Sequence, residues 1–231
     1  MEASVGDILI VGAGIAGLTT SLGLHRLGIR SLVLESSDTL RETGFAFTTW
    51  NNAWKALDVL GIGDSLRQPH QQLQGMVVTS TISRQPPSER SLKSEGKLSE
   101  REIRCVRRKL LLEALVRELP IGTIRFSSKV VSVEESGYFK LVHLADGSIL
   151  KTKDEFRRIE MGLNKFAKER RWRSFQLIST AYVVGFIHES KGKIMTFLRD
   201  KILPAFLTGV LIKRADFDCG ELSILNATAS V

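Results

Sequence analysis

A glycine-rich turn between two apolar segments constrains the fold more than any other part of this sequence. The turn, Gly12-Ala13-Gly14-Ile15-Ala16-Gly17, has the spacing G-x-G-x-x-G. Residues 7–11 before it are nearly all apolar, which predicts a buried parallel strand. Residues 15–27 follow with helical spacing and end at Gly28, and residues 31–35 form a second apolar run. Strand, helix and strand in this order predict a right-handed βαβ unit.

This turn has the spacing that binds the pyrophosphate of a dinucleotide when it joins a strand to a helix. Gly12 permits the tight turn, Gly14 lets the pyrophosphate approach the backbone, and Gly17 lets the helix pack on the strand. Glu35, at the end of the second strand, can accept hydrogen bonds from a ribose and would repel a 2′-phosphate, which disfavours NADP. The alternative is an ordinary α/β turn with a solvated glutamate. These residues predict a site for ADP but do not distinguish FAD from NAD.

The rest of the N-terminal two thirds mixes short helices and strands. Its patterns predict helices at 52–60 and 108–119, a polar loop at 67–104 with an edge strand at 76–80, strand pieces at 124–126 and 130–133, and a hairpin of 138–144 with 148–151. The hairpin turns at Ala145-Asp146-Gly147, where Asp-Gly is a strong turn signal.

The character of the sequence changes near Lys153. Residues 154–173 form a charged helical pattern, 175–187 are apolar, and 194–212 are amphipathic with a break at Pro204. We therefore expect two domains: an α/β Rossmann-like domain with a small β-hairpin layer at 1–153, and a helical, basic C-terminal tail at 154–231.

Charge and cysteine content narrow the classes of partner. The net charge is +8; residues 151–231 hold 15 Lys and Arg against 9 Asp and Glu, a net of +6, and residues 1–150 a net of +2. The sequence has no nucleic-acid-binding motif, so a solvated helix face or weak association of the tail with an anionic membrane surface is expected instead. Two scattered cysteines predict neither disulfides nor a metal site. Met1–Gly6 is too short for a signal peptide and no run is long enough to span a membrane, so we expect a cytoplasmic protein, soluble or peripheral to a membrane.

Several further segments resemble FAD-dependent monooxygenases. Small Ser21 and then Gly28 continue the glycine motif with the extended spacing of aromatic hydroxylases. Matches follow in Arg41-Glu42-Thr43-Gly44, in the run from Phe45 to Leu57, in Val106, Arg108, Leu111 and Leu115, and in Val130. The sequence is similar to the plant branch that includes salicylate hydroxylase and zeaxanthin epoxidase.

The resemblance implies a glutathione-reductase-type fold, FAD as cofactor, and an oxidoreductase in which NAD(P)H supplies electrons and O₂ supplies an oxygen atom to a small organic substrate. It implies that Arg108 lies near the ribityl and phosphate region, that Arg41 neutralises phosphate, and that the backbone of Val130 meets the adenine. The predicted cofactor-binding residues are Gly12, Ala13, Gly14, Ile15, Ala16, Gly17, Glu35, Ser36, Arg41, Arg108 and Val130. Trp50, Trp54 and Phe47 either flank the flavin or pack in the core. No catalytic side chain is predicted, since the cofactor carries such chemistry.

The departure from the family is a missing middle. Family members continue past the Asp146-Gly147 hairpin into a substrate-binding sheet, a Gly-Asp segment and a Pro- and Gly-rich loop near the flavin ring. Here Lys153 runs directly into residues 154–156, and runs 166–173 and 183–187 resemble the C-terminal tail of the same plant proteins. The chain thus resembles a truncated or splice variant, with impaired oxygen insertion. The alternatives are a non-catalytic isoform that binds a nucleotide or a protein partner, and an NAD-binding module.

Overall fold

The computed structural model describes residues 8–41, 44–78, 88–91, 102–153, 156–190 and 192–203. The chain divides into two compact units, and their described residues lie at 8–73 with 102–153, and at 74–91 with 156–203. The elements, in chain order, are β1 (Ile8–Val11), α1 (Ile15–Arg26), β2 (Ser31–Leu34), β3 (Ala46–Thr49), α2 (Asn51–Val59), α3 (Gly63–Arg67), β4 (Gly75–Val78), β5 (Ser88–Ser91), β6 (Arg104–Arg107), α4 (Arg108–Arg117), β7 (Ile124–Arg125), β8 (Val130–Ser136), β9 (Phe139–Leu144), β10 (Ile149–Lys153), α5 (Phe156–Glu189) and α6 (Lys193–Phe197).

A parallel sheet lies at the centre of the first unit, with strand order β1-β2-β7. The helices α1 and α4 contact each other on one face. There Leu18, Leu22, Val33, Leu112 and Leu115 form a buried cluster. This arrangement is the α/β Rossmann-like unit that the sequence predicts.

The antiparallel sheet β10-β9-β8 covers the other face of the parallel sheet. Leu34 is buried together with Val142, Leu144 and Leu150, and Leu9 packs against this cluster. The predicted hairpin layer is therefore present as three strands. Because both faces are covered, the C-terminal ends of β1 and β2 are held in place next to the glycine turn.

The prediction of a buried first strand is wrong. None of the four residues of β1 is fully buried, and 66% of Val11 is exposed. The sequence has the apolar run of an interior strand, but β1 lies at the end of its sheet. Burial of such a strand depends on a neighbour on each side, and among the described residues β1 pairs with β2 alone.

Other elements differ from the sequence prediction in extent. The polar loop predicted at 67–104 starts at the last residue of α3, includes the hairpin of β4 with β5, and ends at the first residue of β6, which pairs with β3. Strand β6 reads Arg-Cys-Val-Arg, and charged residues at both ends conceal it from a search for apolar runs. The edge strand predicted at 76–80 corresponds to β4, and residues 79–80 lie outside the described residues.

In the second unit, the predicted charged and apolar segments form one helix. The helix α5 spans 34 residues without interruption, and α6 is followed by a π-helical turn at Leu198–Ile202. The predicted break at Pro204 lies outside the described residues. An apolar cavity of about 440 Å³ lies between α5 and this turn, lined in part by Phe175, Val183, Leu198 and Ile202. Within the described part of the chain, no helix is long and apolar enough to cross a bilayer.

Candidate dinucleotide-binding site

The glycine turn joins β1 to α1 and is built on the left-handed conformation of its first residue. Gly12 has φ of +100°, which L side chains rarely adopt, and its N–H donates to the carbonyl of Leu34 at 2.8 Å. Gly14 is the N-cap of α1, with φ of −76° and ψ of 178°. The turn therefore ends with the first N–H groups of the helix pointing outward, where a helix of 12 residues offers its partial positive charge to an anion.

Gly14 and Gly17 are glycine for different steric reasons, which follow from what a Cβ added at each position would meet. At Gly17 a Cβ would lie 2.0 Å from the carbonyl oxygen of Gly12, so only glycine lets α1 approach the turn this closely. At Gly14 a Cβ would meet no protein atom within 4 Å. Gly17 is thus required by the fold, and the space beside Gly14 is open for a ligand. A pyrophosphate fits that space, because the helix N–H groups border it.

Glu35 connects the glycine turn to the residues that follow β2. Its Oε2 accepts a hydrogen bond from the N–H of Ala13 at 2.7 Å, so the carboxylate holds the glycine turn. Its Oε1 accepts from the N–H of Ser37 at 2.9 Å and from the hydroxyl of Ser36 at 3.1 Å. The carboxylate is 9% exposed and fixed at both oxygens. Oε1 already has two donors, whereas Oε2 has one and keeps a second lone pair, with which it can accept from a ribose hydroxyl.

The protonation of Glu35 follows from the same contacts. Burial by itself would raise its pKa, but the hydrogen bonds from Ser37, Ala13 and Ser36, together with the charge of Arg41, outweigh burial and lower the pKa. The carboxylate is therefore ionised at neutral pH. A negative charge at this position can accept hydrogen bonds from a ribose and repels a 2′-phosphate.

Two arginines predicted from the family resemblance lie next to each other. The Nε of Arg41 donates to the hydroxyl of Ser37 at 3.0 Å, and the Nη1 of Arg108 donates to the carbonyl of Arg41 at 3.0 Å. Gly44, with φ of +116°, lies against Arg108, where a Cβ would come within 3.2 Å of the Arg108 Cδ. The Glu35 turn, Arg41 and the start of α4 thus form a connected series, although their separation in sequence is large.

Val130 begins β8 and is placed by a loop that the sequence prediction missed. In that loop Ser128, itself buried, donates its N–H to the carbonyl of Glu35 at 2.7 Å. Ser127 has φ of +52° and donates its N–H to the carbonyl of Ser37 at 2.8 Å. The loop before Val130 is therefore bound directly to the Glu35 turn. No sequence motif signals this contact, because it depends on a non-glycine residue in the left-handed region.

The predicted aromatic residues have different environments. Trp54 is 1% exposed, and the guanidinium groups of Arg67 and Arg104 lie 5.1 and 5.6 Å from its ring centroid. It packs in the core. Phe47 and Trp50 are partly exposed on and beside β3. Arg104 also donates to the carbonyl of buried His70, whose Nε2 accepts from the N–H of Arg107 at 3.1 Å. The hydrogen bond from Arg107 to His70 holds the residue before α4, and hence positions Arg108.

The site lies within a part of the chain that matches a known protein family. A family described as "FAD binding domain" matches residues 6–144, more than half of the chain. The chain belongs to the FAD-binding domain family. It is 32% identical to "Monooxygenase 2" of Arabidopsis thaliana over 401 positions, covering 94% of this chain and 98% of the relative. It is 44% identical to "Monooxygenase 1" of the same plant over 154 residues, which are 63% of this chain and 36% of the relative.

The chain is truncated relative to these homologues. An alignment of 401 positions is much longer than a chain of 231 residues, so a large internal part of Monooxygenase 2 has no counterpart here. The chain likewise spans well under half of solved structures with the same fold. It covers 38% of Klebsiella pneumoniae HpxO complexed with FAD and uric acid, and 29% of the flavin-dependent monooxygenase PieE. The TM-scores are 0.52 and 0.55, at 22% and 21% identity, over 65% and 66% of this chain.

Replacing Glu35 by Ala tests the connection between the turn and the ribose position. We expect the affinity for FAD to fall by about 1–3 kcal/mol, the scale of hydrogen bonds to a charged group. Isothermal titration calorimetry with FAD and with ADP-ribose measures the loss, and both ligands should lose equally. Glu113→Ala, on the exposed side of α4, is the matched control and should bind normally. An unchanged affinity in Glu35→Ala would contradict the site.

The lowered pKa adds a pH signature to the same variant. A carboxylate with a depressed pKa in the folded state stabilises the fold fully above its ordinary pKa of 4.5, and this stabilisation disappears as the pH falls through the folded value. Glu35→Gln should therefore lose less stability than the unmodified chain when the pH falls through that range, measured as the shift in the denaturant midpoint. The lowered pKa values of Glu102 and Asp146 act in both proteins, so the difference between the two shifts reports Glu35. The comparison separates loss of the charge from loss of a side chain.

Proposed function

We propose that this chain binds the ADP half of FAD and performs flavin-dependent oxygen insertion poorly or not at all. One observation supports the first part: the 2.7 Å hydrogen bond from Ala13 to Glu35 joins the glycine turn to the end of β2. The open space at Gly14 and the helix N-terminus lie directly beside it.

Each candidate residue has a role in this proposal. The N–H groups that open α1, around Ile15, Ala16 and Gly17, hold the pyrophosphate. Glu35 accepts from the ribose. Arg41 and Arg108 neutralise phosphate charge from the opposite side, and the strand start at Val130 borders the adenine. FAD, when bound, supplies the redox chemistry, and these residues bind and orient only its nucleotide half.

The second part of the proposal concerns what this half-site leaves uncovered. Oxygen insertion by a flavin enzyme requires that water be excluded from the reacting end of the cofactor. Monooxygenase 2 has a large internal segment that this chain lacks. Near the site, Phe45 is 97% exposed and β3 pairs only with β6 among the described residues. The protein therefore binds the nucleotide half of FAD and leaves the reactive half of FAD exposed to solvent. NADH or NADPH is then an inefficient electron donor to the bound FAD.

The test is the visible absorbance spectrum of the purified full chain, followed by titration with FAD and competition with ADP. Bound flavin that ADP displaces supports the nucleotide cradle, and Gly14→Val is the negative control. Failure of FAD to bind, in a chain that circular dichroism shows to be folded, would refute the proposal. Binding of NADH with no binding of FAD would favour the NAD-module alternative.

A weak association of the tail with anionic membranes is a separate proposal. Five basic residues and one acidic residue occupy 165–173 of α5, and Phe166, Trp172 and Phe175 are more than half exposed beside them. Cations close to exposed aromatic rings on the same helix favour an anionic lipid surface, at about 1 kcal/mol for each cation near the lipid.

Vesicle binding of the full chain tests this association. Reversing two exposed charges of α5, in Lys168→Glu with Arg171→Glu, should weaken binding to phosphatidylserine-containing vesicles by roughly tenfold or more at low salt. The same charge reversal at Lys55 and Lys129, both exposed in the first unit, should have a smaller effect. Binding should also fade as salt screens the charges. Equal losses in the two double variants would show that the tail has no special part.

A further inference from the structure

The outer edge of β1 carries backbone groups that the fold leaves unpaired within the described residues. The N–H groups of Ile8 and Gly12 donate to β2 and the residue before it, at 3.3 Å to Arg30 and 2.8 Å to Leu34. Because successive residues of a strand alternate in direction, the N–H and C=O groups of Leu9 and Val11 point the other way. On that side the described residues supply no further strand, since the order is β1-β2-β7.

The side chains of this edge do not protect it. Natural sheet edges carry charged residues, short strands or covering loops that oppose pairing with another chain. Three other sheet edges in this unit follow that rule: β8 has Glu134 and Glu135, β10 has Lys151, and β7 is two residues long and ends in Arg125. Strand β3, which pairs with β6, is the uncharged exception among these other described edges of the unit. Strand β1 is Ile-Leu-Ile-Val, with no charge, and its Val11 is 66% exposed.

The absence of a large internal segment gives a reason why β1 has the sequence of an interior strand but lies at a sheet edge. A continuous apolar run is the pattern of an interior strand in a parallel sheet. The chain lacks a large internal part of Monooxygenase 2, so a strand with an interior sequence now lies at an edge. What fits the edge must be an extended strand with apolar side chains, whose main chain can complete the hydrogen bonds of Leu9 and Val11.

We propose that this occupant is β1 of a second copy of the chain, paired antiparallel across a two-fold axis at Ile10. In that register Leu9 of one copy lies opposite Val11 of the other, and each of these residues donates and accepts one main-chain hydrogen bond. The contact is self-complementary, as a two-fold interface requires. It joins two three-stranded sheets into one continuous sheet, with α1 of both copies on the same face. The pairing does not depend on FAD.

The experiment measures the oligomeric state of the full chain by size-exclusion chromatography with light scattering over a range of concentrations. We expect a dimer that Val11→Lys weakens by about tenfold or more, since a lysine at the edge opposes strand pairing. The matched control is Val133→Lys on β8, where 53% of the side chain is exposed and the edge is already charged. This control should associate as the unmodified chain does.

A second measurement removes any doubt that arises if Val11→Lys fails to fold. Hydrogen exchange resolved by NMR on the unmodified chain should show slower exchange at the amides of Leu9 and Val11 as concentration rises, whereas Ile10, paired with β2, is protected throughout. A monomer at all concentrations overturns the proposal. So does a dimer in which these two amides stay unprotected, or one that Val11→Lys leaves intact and Phe175→Glu on α5 abolishes.

Discussion

Replacing Gly14 by Val should leave the chain folded and abolish its binding of FAD. The backbone of Gly14 has φ of −76° and ψ of 178°, which valine adopts readily, and a Cβ there meets no protein atom within 4 Å. The variant therefore costs the fold little. Its branched side chain fills the space between the glycine turn and the pyrophosphate. Loss of two or more charge-assisted hydrogen bonds, at about 1.5–3 kcal/mol each, lowers the affinity by roughly a hundredfold to ten-thousandfold.

Two other glycine variants make this result specific. Gly17→Ala places a Cβ 2.0 Å from the Gly12 carbonyl oxygen, so it should lower the stability of the fold itself, by about 1–3 kcal/mol or more. Gly162→Val, at an open position on α5, repeats the Gly14 substitution far along the chain and should bind FAD normally. Calorimetry with FAD and thermal melting together separate the three cases. Normal FAD affinity in Gly14→Val would mean that the pyrophosphate lies elsewhere.

The sequence predicts the site residues that follow local rules. Gly12, Gly14 and Gly17 are separated by a fixed spacing, because one turn of chain must pass from strand to helix, and Glu35 ends the next strand. The three glycines and Glu35 lie within one βαβ unit, so their relative positions can be predicted from a single sequence. The structure adds contacts that no spacing encodes: Ala13 to Glu35, Ser128 to Glu35, and Arg108 to Arg41.

The errors arise where structure depends on distant or absent segments. Strand β1 was predicted to be buried because its sequence suits an interior position, but burial depends on a neighbouring strand that the described chain does not supply. Strand β6 is concealed because its pairing with β3 spans more than fifty residues, and α5 joins two segments that differ in polarity but share helical propensity. In each case the sequence pattern describes the segment itself, but it does not show which distant segments surround that segment in the fold.

Supplied with FAD and NADH or NADPH, the purified chain should consume oxygen and release hydrogen peroxide, with little hydroxylated product. The residues that the structure brings together, from the glycine turn to Arg108, bind the nucleotide half of the cofactor. Coupled oxygen insertion also requires a covered, water-free environment for the reacting half and a place for the organic substrate. The chain lacks a large internal part of Monooxygenase 2, and exposed Phe45 beside Arg108 shows how open this end of the unit is. Bound FAD would pass the two electrons and the hydrogen of each NADH hydride to one O₂, and one further proton from solvent completes hydrogen peroxide.

The decisive measurement follows three quantities together: oxygen uptake, peroxide, and hydroxylated product across a panel of aromatic acids. Peroxide should account for most of the oxygen consumed, and catalase should return about half of that oxygen, since two molecules of peroxide yield one of O₂. Free FAD at the same concentration, with and without the Gly14→Val variant, sets the background, because a reaction that needs binding must exceed it. The alternative is that α5 and α6 fold over the cofactor and restore a working site. Product formed in proportion to NADH, with little peroxide, would establish that alternative and show that the absent segment is dispensable for catalysis.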